Sequence, residues 1–291
     1  ARSLEETIGT RWVVWVGGLT LALGGIFLVK YSIEAGLLGP KIRVMLGGLF
    51  ALALLAVGEV ARRKESLSSI APLPIANIPA ILTAAGTAVA FATVYAAYAL
   101  YGFLAPPVAF VMLGAVALGT LAAALLHGPA LAGLGVVGAF VTPVLVSSGK
   151  PDYWALYIYI AIVTAAAFGL ARIRLWRWLA VTTIVFSGLW MAVGIDDTAT
   201  FAPHAFDAIA SFILAAVLVV AGFMFGPAAD QGRVEPVSSF SLGVFLAGAG
   251  LLVLNNNHAD AAMVVFALLV AATFVIAWRA DSAVGAIGAS A

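Results

Sequence analysis

The chain alternates long apolar stretches with short polar connections. Windows of about 20 residues, the length of helix that crosses a hydrocarbon core of about 30 Å, recur ten times. These predicted spans cover about 11–31, 42–61, 79–101, 104–126, 129–148, 153–172, 175–194, 205–225, 237–255 and 259–278. Backbone groups cannot face lipid unpaired, and the alternation of a membrane β-barrel strand is absent from the pattern. The pattern therefore predicts an all-α integral membrane protein, a bundle of about ten transmembrane helices.

Glycine and proline mark the connections between these windows. They predict chain reversals at Gly39-Pro40, Pro106-Pro107, Gly128-Pro129, Gly149-Lys150-Pro151, Gly226-Pro227 and Glu235-Pro236. Thr142-Pro143 lies inside the fifth window instead, where proline removes a backbone donor. We expect that helix to be kinked.

The basic residues fall mainly into every second connection, and this distribution predicts the orientation. With a cytoplasmic N-terminus, ten of the 14 Lys and Arg residues lie inside: Arg2, Arg11, Arg62, Arg63, Lys64, Arg172, Arg174, Arg177, Arg233 and Arg279. The other four, Lys30, Lys41, Arg43 and Lys150, lie outside. Cytoplasmic connections of membrane proteins are enriched in Lys and Arg, so the sequence predicts that the N-terminus is cytoplasmic.

Composition agrees with a bilayer protein and excludes several functions. Hydrophobic residues make up 64% of the chain and charged residues 9%, and the mean hydropathy is +1.14. A net charge of +1 provides no general attraction for nucleic acid. Without cysteine there is no disulfide, thiolate nucleophile or cysteine-ligated metal. Nucleotide-binding and hydrolase motifs are also missing, so the sequence predicts no cofactor and favours a protein that is not an enzyme.

We expect residues 1–291 to form a single transmembrane helical domain that is a fragment of a longer chain. The chain begins with Ala1, and residues 283–291 start another apolar stretch. An offset of 66 residues aligns Gly36–Pro40 with Gly102–Pro106. This match predicts a weak duplication of the hairpins 11–61 and 79–126, although any outer hairpin turn favours Gly and Pro.

The first hairpin carries a family resemblance. It reads RWVVWVGG from Arg11, GGIFLVKYSIEAGLLGP from Gly24, then Arg43 and Gly58-Glu59, with YAAYALY from Tyr95, HGPAL from His127 and Thr142-Pro143 further on. These stretches resemble a bacterial family of multi-spanning membrane proteins known as domain of unknown function 2339 (DUF2339). The resemblance implies a multi-pass protein of the bacterial cytoplasmic (inner) membrane and defines no activity.

Five residues at the outer end of the first hairpin are candidates for binding: Lys30, Tyr31, Glu34, Lys41 and Arg43. Charged residues at the edge of a span are costly unless they pair or reach water. The set fits a binding patch for an anion or a lipid headgroup. It equally fits an internally neutralised cap, in which Lys30 pairs with Glu34 four residues along a helix.

Two further groups of polar residues are candidates for a site. Glu59 precedes Arg62 and Arg63 by three and four residues, a spacing that predicts a structural ion pair at the inner interface. His204, Asp207, His258 and Asp260 all map to the outer surface. They are the residue types of a metal site, and they are equally ordinary solvated residues at helix ends.

These observations leave two functions open. The charged hairpin, the proline in a span and the repeat favour transport or handling of a cell-envelope lipid or glycan. The alternative is a structural or accessory subunit that packs against a membrane protein complex. We expect membrane lipids as partners, other membrane protein subunits in the second case, and no nucleic acid.

Overall fold

A computed structural model describes residues 39–67, 78–146, 152–193, 201–224 and 235–279, which are helical and contain no strand. The helices are α1 (Pro40–Leu67), α2 (Ile78–Ala99), α3 (Pro106–His127), α4 (Pro129–Leu145), α5 (Tyr153–Arg174), α6 (Arg177–Met191), α7 (Phe201–Leu214), α8 (Pro236–Asn255) and α9 (Asp260–Arg279). A π-helical segment, Ala215–Met224, continues α7. Every predicted window from 42–61 onward overlaps one of these helices. The first window, 11–31, lies outside the described residues, as does part of the proposed duplication.

The helices differ in whether they are long enough to cross a membrane. Among the described residues, seven apolar segments have the length and composition of membrane spans. Helices α4 and α6 have only 17 and 15 residues, about 26 and 22 Å at 1.5 Å per residue. The windows 129–148 and 175–194 therefore correspond to shorter apolar helices. The protein is a membrane protein with multiple apolar helices.

Contacts between helix ends nevertheless show that α4 and α6 run from one end of the bundle to the other. Arg174 Nη2 donates to the Leu125 carbonyl at 2.7 Å, so the last turns of α3 and α5 lie together. Tyr157 Oη donates to the Val193 carbonyl at 3.1 Å, so the end of α6 lies beside the start of α5. Consecutive helices from α3 to α6 are therefore antiparallel.

The two ends of this bundle differ in charge. Contacts divide the chain into two compact units, residues 1–49 and 50–291, and the following concerns the second. We call the end that holds the α3–α4 and α5–α6 turns the basic end, and the opposite end, where α7 begins, the histidine end. All seven Lys and Arg residues described between 50 and 279 lie at the basic end: Arg62, Arg63, Lys64, Arg172, Arg174, Arg177 and Arg279.

Proline starts four of the described helices, as the predicted reversals require. Pro40, Pro106, Pro129 and Pro236 are the first residues of α1, α3, α4 and α8, a position where the missing N–H has no helical acceptor anyway. Pro143 differs, because α4 continues past it to Leu145.

Candidate functional site

The first turns of α7 place three polar side chains on one face. His204, Asp207 and Ser211 are separated by three and four residues, so they project from the same side of the helix. They are 4%, 0% and 0% exposed, and two rings of α5 lie against His204. We call these residues, together with Tyr153 and Tyr157 of α5, the His204–Asp207 cluster.

Aromatic rings from α5 hold the histidine. The His204 ring centroid lies 5.1 Å from that of Tyr153 and 5.0 Å from that of Tyr157, the latter in an edge-on arrangement. Tyr157 is fully buried, and its hydroxyl is tied to the Val193 carbonyl after α6. The imidazole is thus fixed between two helices.

Asp207 is the unusual member of the cluster. Ser211 lies close enough to interact with its carboxyl group, but among the described residues neither carboxylate oxygen has a partner with hydrogen-bond geometry. The residue is the seventh of a 24-residue apolar span, about 9 Å along the helix from Phe201. A carboxyl group without a partner inside a membrane protein is costly and usually functional.

Hydroxyl groups continue from the cluster into the bundle. Ser211 Oγ lies 3.4 Å from Ser187 Oγ of α6, and Thr164 Oγ1 of α5 donates to Ser187 Oγ at 3.4 Å. All three are buried. Asp207 therefore stands at one end of a row of hydroxyls that joins α5, α6 and α7.

Comparison with known proteins supports the membrane assignment. The family model described as a predicted membrane protein, DUF2339, matches residues 9–290, nearly the whole chain. The chain belongs to the DUF2339 family. No curated protein and no solved structure matches it.

The predicted metal ligands of this DUF2339 protein do not come together. All four lie in described residues, and among those no group of three or more His, Asp or Glu side chains could hold a metal ion. His258 and Asp260 are exposed in the α8–α9 turn and at the start of α9. His204 and Asp207 were also expected at the surface. They are buried instead, because α7 begins at Phe201 and turns both toward α5.

The charged patch of the first hairpin falls only partly within the structure. Lys30, Tyr31 and Glu34 lie outside the described residues. Lys41 is exposed in the first turn of α1. Arg43 is half-buried, and its backbone N–H donates to the Gly39 carbonyl. A binding role for this patch stays a prediction.

Glu59 meets both arginines that follow it. Arg62 donates through Nε and Nη2 to the two carboxylate oxygens at 2.8 and 2.7 Å, and Arg63 Nε donates to one of them at 2.7 Å. These contacts give the arrangement that the spacing of three and four residues predicts. All three residues lie in the last turns of α1, at the basic end.

The sequence analysis missed Tyr153, Tyr157, Ser211, Ser187 and Thr164 as neighbours of Asp207. The tyrosines stand four residues apart in an otherwise apolar stretch, which is one helical face. That spacing was the available signal. Nothing in the sequence indicates that this face meets His204.

Proposed function

We propose that this DUF2339 protein is a transporter that moves or handles a cell-envelope lipid or glycan across the bacterial cytoplasmic membrane, with Asp207 as the residue that carries a proton. The supporting observation is the Asp207 carboxyl, which is fully buried in a membrane span and, within the part of the chain that the structure describes, has no partner with hydrogen-bond geometry. Ionisable groups within spans typically mark ion, proton or substrate pathways.

The surroundings of Asp207 suit a group that gains and loses a proton. Protonation makes the carboxyl neutral and compatible with its apolar neighbours, whereas the carboxylate requires a counter-charge or water. His204, one turn earlier, has ring nitrogens that can donate or accept a hydrogen bond. The hydroxyls of Ser211, Ser187 and Thr164 can each donate and accept hydrogen bonds further inside.

We infer that the basic end faces the cytoplasm, which places Asp207 nearer the outer surface. The seven cationic residues at that end support this orientation, because Lys and Arg concentrate on the cytoplasmic side of membrane proteins. A proton would then enter at the histidine end, where Asp207 takes it up, and would be released toward the hydroxyl row.

Carbodiimide labelling tests the proton-carrying role directly. Dicyclohexylcarbodiimide adds the O–H of a protonated carboxylic acid across one C=N bond, and the adduct rearranges to a stable N-acylurea. We expect mass spectrometry of the full chain in lipid to find this adduct at Asp207, with less labelling at high pH and none in Asp207→Asn. Absence of labelling at Asp207 at every pH contradicts the proposal.

A liposome assay tests transport. The full chain is reconstituted with a fluorescent phospholipid or a fluorescent polyprenyl-linked sugar, and dithionite then reduces the probe in the outer leaflet only. We expect the wild type to make more than half of one probe accessible, and Asp207→Asn to lose the effect of a pH gradient. Ser239→Ala, a change in α8, is the matched control. If neither probe moves with the wild-type protein, transport of these substrates is ruled out.

The accessory-subunit alternative rests on a different observation. Helix α9 presents a broad apolar face, on which Trp278 is 91% exposed and Leu268 64% exposed. Lipid covers such a face as readily as a protein partner does. Native purification separates the two functions: co-migration with one stable complex favours the accessory role, whereas a free protein that moves a probe favours transport.

A further inference from the structure

An apolar groove runs between α3 and α5, and Arg174 contacts one of its lining residues, Leu125. Its volume is about 290 Å³. Four residues of α3, from Leu118 to Leu125, and five of α5, from Ala165 to Ile173, line it, and all of them are apolar. The two lined stretches contain eight and nine residues, so at a rise of 1.5 Å per residue the groove is about 11 Å long. These dimensions accept part of one acyl chain.

Small residues create the groove. Ala122 of α3 and Ala165, Ala166 and Gly169 of α5 provide little or no side chain in the wall of the groove. A Cβ added at Gly169 would meet nothing within 4 Å. The groove therefore exists because the residues at these four positions are small. A larger side chain at position 169 would fill it.

Arg174 supplies a positive charge at the Leu125 end of the groove. Its Nη2 donates to the carbonyl of Leu125, itself a lining residue, at 2.7 Å. The guanidinium carries five N–H donors, so most remain available. Among the described residues no carboxylate forms an ion pair with Arg174. The neighbouring Arg177 does have one, because its Nη2 lies 3.8 Å from Glu235 Oε1.

Aromatic residues set the depth of this end in the membrane. The Arg174 guanidinium carbon lies 5.6 Å from the centroid of the Trp176 ring, and the Trp176 ring stacks on that of Trp178 at 6.3 Å. Tryptophan concentrates at the level of lipid headgroups. Arg174 thus stands at headgroup depth, with the groove extending from it toward the bilayer centre.

We propose that this groove is a binding site for an anionic phospholipid, with one acyl chain between α3 and α5 and the phosphate on Arg174. An apolar slot next to an arginine that has no acidic partner among the described residues complements an acyl chain that ends in a phosphodiester. Arginine binds phosphate through paired N–H donors. The site lies at the opposite end of the bundle from Asp207 and does not rest on the proposed transport function.

Native mass spectrometry of the full chain tests the site, with phosphatidylglycerol and phosphatidylcholine of equal chain length supplied in equal amounts. We expect the wild type to retain one phosphatidylglycerol. Arg174→Gln should reduce the preference for it on the order of tenfold. Gly169→Leu should abolish retention of both lipids. Gly119→Leu is the matched control, because Gly119 is an exposed glycine of α3 that also has nothing within 4 Å and does not line the groove.

The remaining outcomes separate the competing occupants. Displacement of the bound lipid by millimolar inorganic phosphate, together with no effect of Gly169→Leu, would show a simple anion site and overturn the proposal. Dimers that dissociate on Gly169→Leu, with lipid retention unchanged, would show that a second copy covers the groove, which also overturns it. Asp207→Asn should retain the lipid, so this result is independent of the transport assay.

Discussion

Tyr159 of α5 supplies the hydrogen bond that Pro143 removes from α4. A helical residue at 143 would donate its N–H to the Ala139 carbonyl, but proline has no N–H. Tyr159 Oη donates to that carbonyl at 2.8 Å instead. Gly114 of α3 makes room for the ring, since a Cβ there would lie 2.7 Å from Tyr159 Cε2. The proline and the tyrosine therefore act as a pair that joins two helices.

This pairing predicts that the cost of losing the Tyr159 hydroxyl depends on residue 143. Tyr159→Phe should lower the free energy of unfolding by about 1 kcal/mol, because it leaves a buried carbonyl without a donor. In a Pro143→Ala background the helix provides its own N–H, and the same change should cost little. Reversible unfolding of the four variants in mixed micelles measures this coupling. Equal costs in both backgrounds would show that the hydroxyl does not substitute for the missing donor.

A second energetic coupling is expected between Arg172 of α5 and Gly222 of the π-helical segment. Arg172 Nη1 donates to the Val217 carbonyl at 3.0 Å, and its stem crosses Gly222, where a Cβ would lie 2.9 Å from Arg172 Cγ. Gly222→Ala should therefore destabilise the protein by about 1–3 kcal/mol through overpacking.

Two further variants isolate this steric cause. Gly169→Ala, in open space, should be neutral or more stable by up to about 1 kcal/mol, because alanine favours a helix more than glycine does. Gly222→Ala should cost much less in an Arg172→Ala background. If the loss there is as large as in the wild type, the arginine stem is not what excludes a side chain at 222.

We expect the ionisable side chain of Asp207 to lower the stability of the folded protein. Asp207→Asn preserves size and removes an ionisable group from a fully buried position, so we expect thermal unfolding at or above the wild-type temperature. Functional residues often carry such a cost. We expect His204 and the rings of Tyr153 and Tyr157 to keep their positions in this variant. A clear decrease in unfolding temperature would assign Asp207 a structural role instead.

Orientation can be tested with single cysteines, because the chain has none of its own. Phe103 lies in the α2–α3 turn, Leu175 in the α5–α6 turn and Val193 just after α6, and they are 43%, 47% and 47% exposed. With a membrane-impermeant maleimide on intact cells, we expect labelling of Phe103→Cys and Val193→Cys, and of Leu175→Cys only after lysis. Phe103 and Leu175 on the same side would mean that α4 does not cross the membrane, and Leu175 and Val193 on the same side would mean the same for α6.

Much of the helical arrangement follows from local properties of the chain. A run of about 20 apolar residues forms a helix in lipid because backbone groups must pair within the segment. Proline after a short connection starts the next helix. The windows therefore predict the described helices from α1 onward, and the spacing of Glu59, Arg62 and Arg63 predicts their contacts, because all three lie on a single helix.

Relations between helices were decided by tertiary structure alone. Hydropathy cannot distinguish a lipid-facing residue from one that packs against another helix, so the sequence placed His204 and Asp207 at the surface and grouped them with His258 and Asp260. Packing of α7 against α5 buries the first pair and leaves the second pair exposed. The same limit applies to Arg174 and the groove beside it, since the groove depends on side-chain size at positions far apart in the chain. Composition and periodicity determine that this chain forms membrane helices, and only their packing determines which polar groups are enclosed.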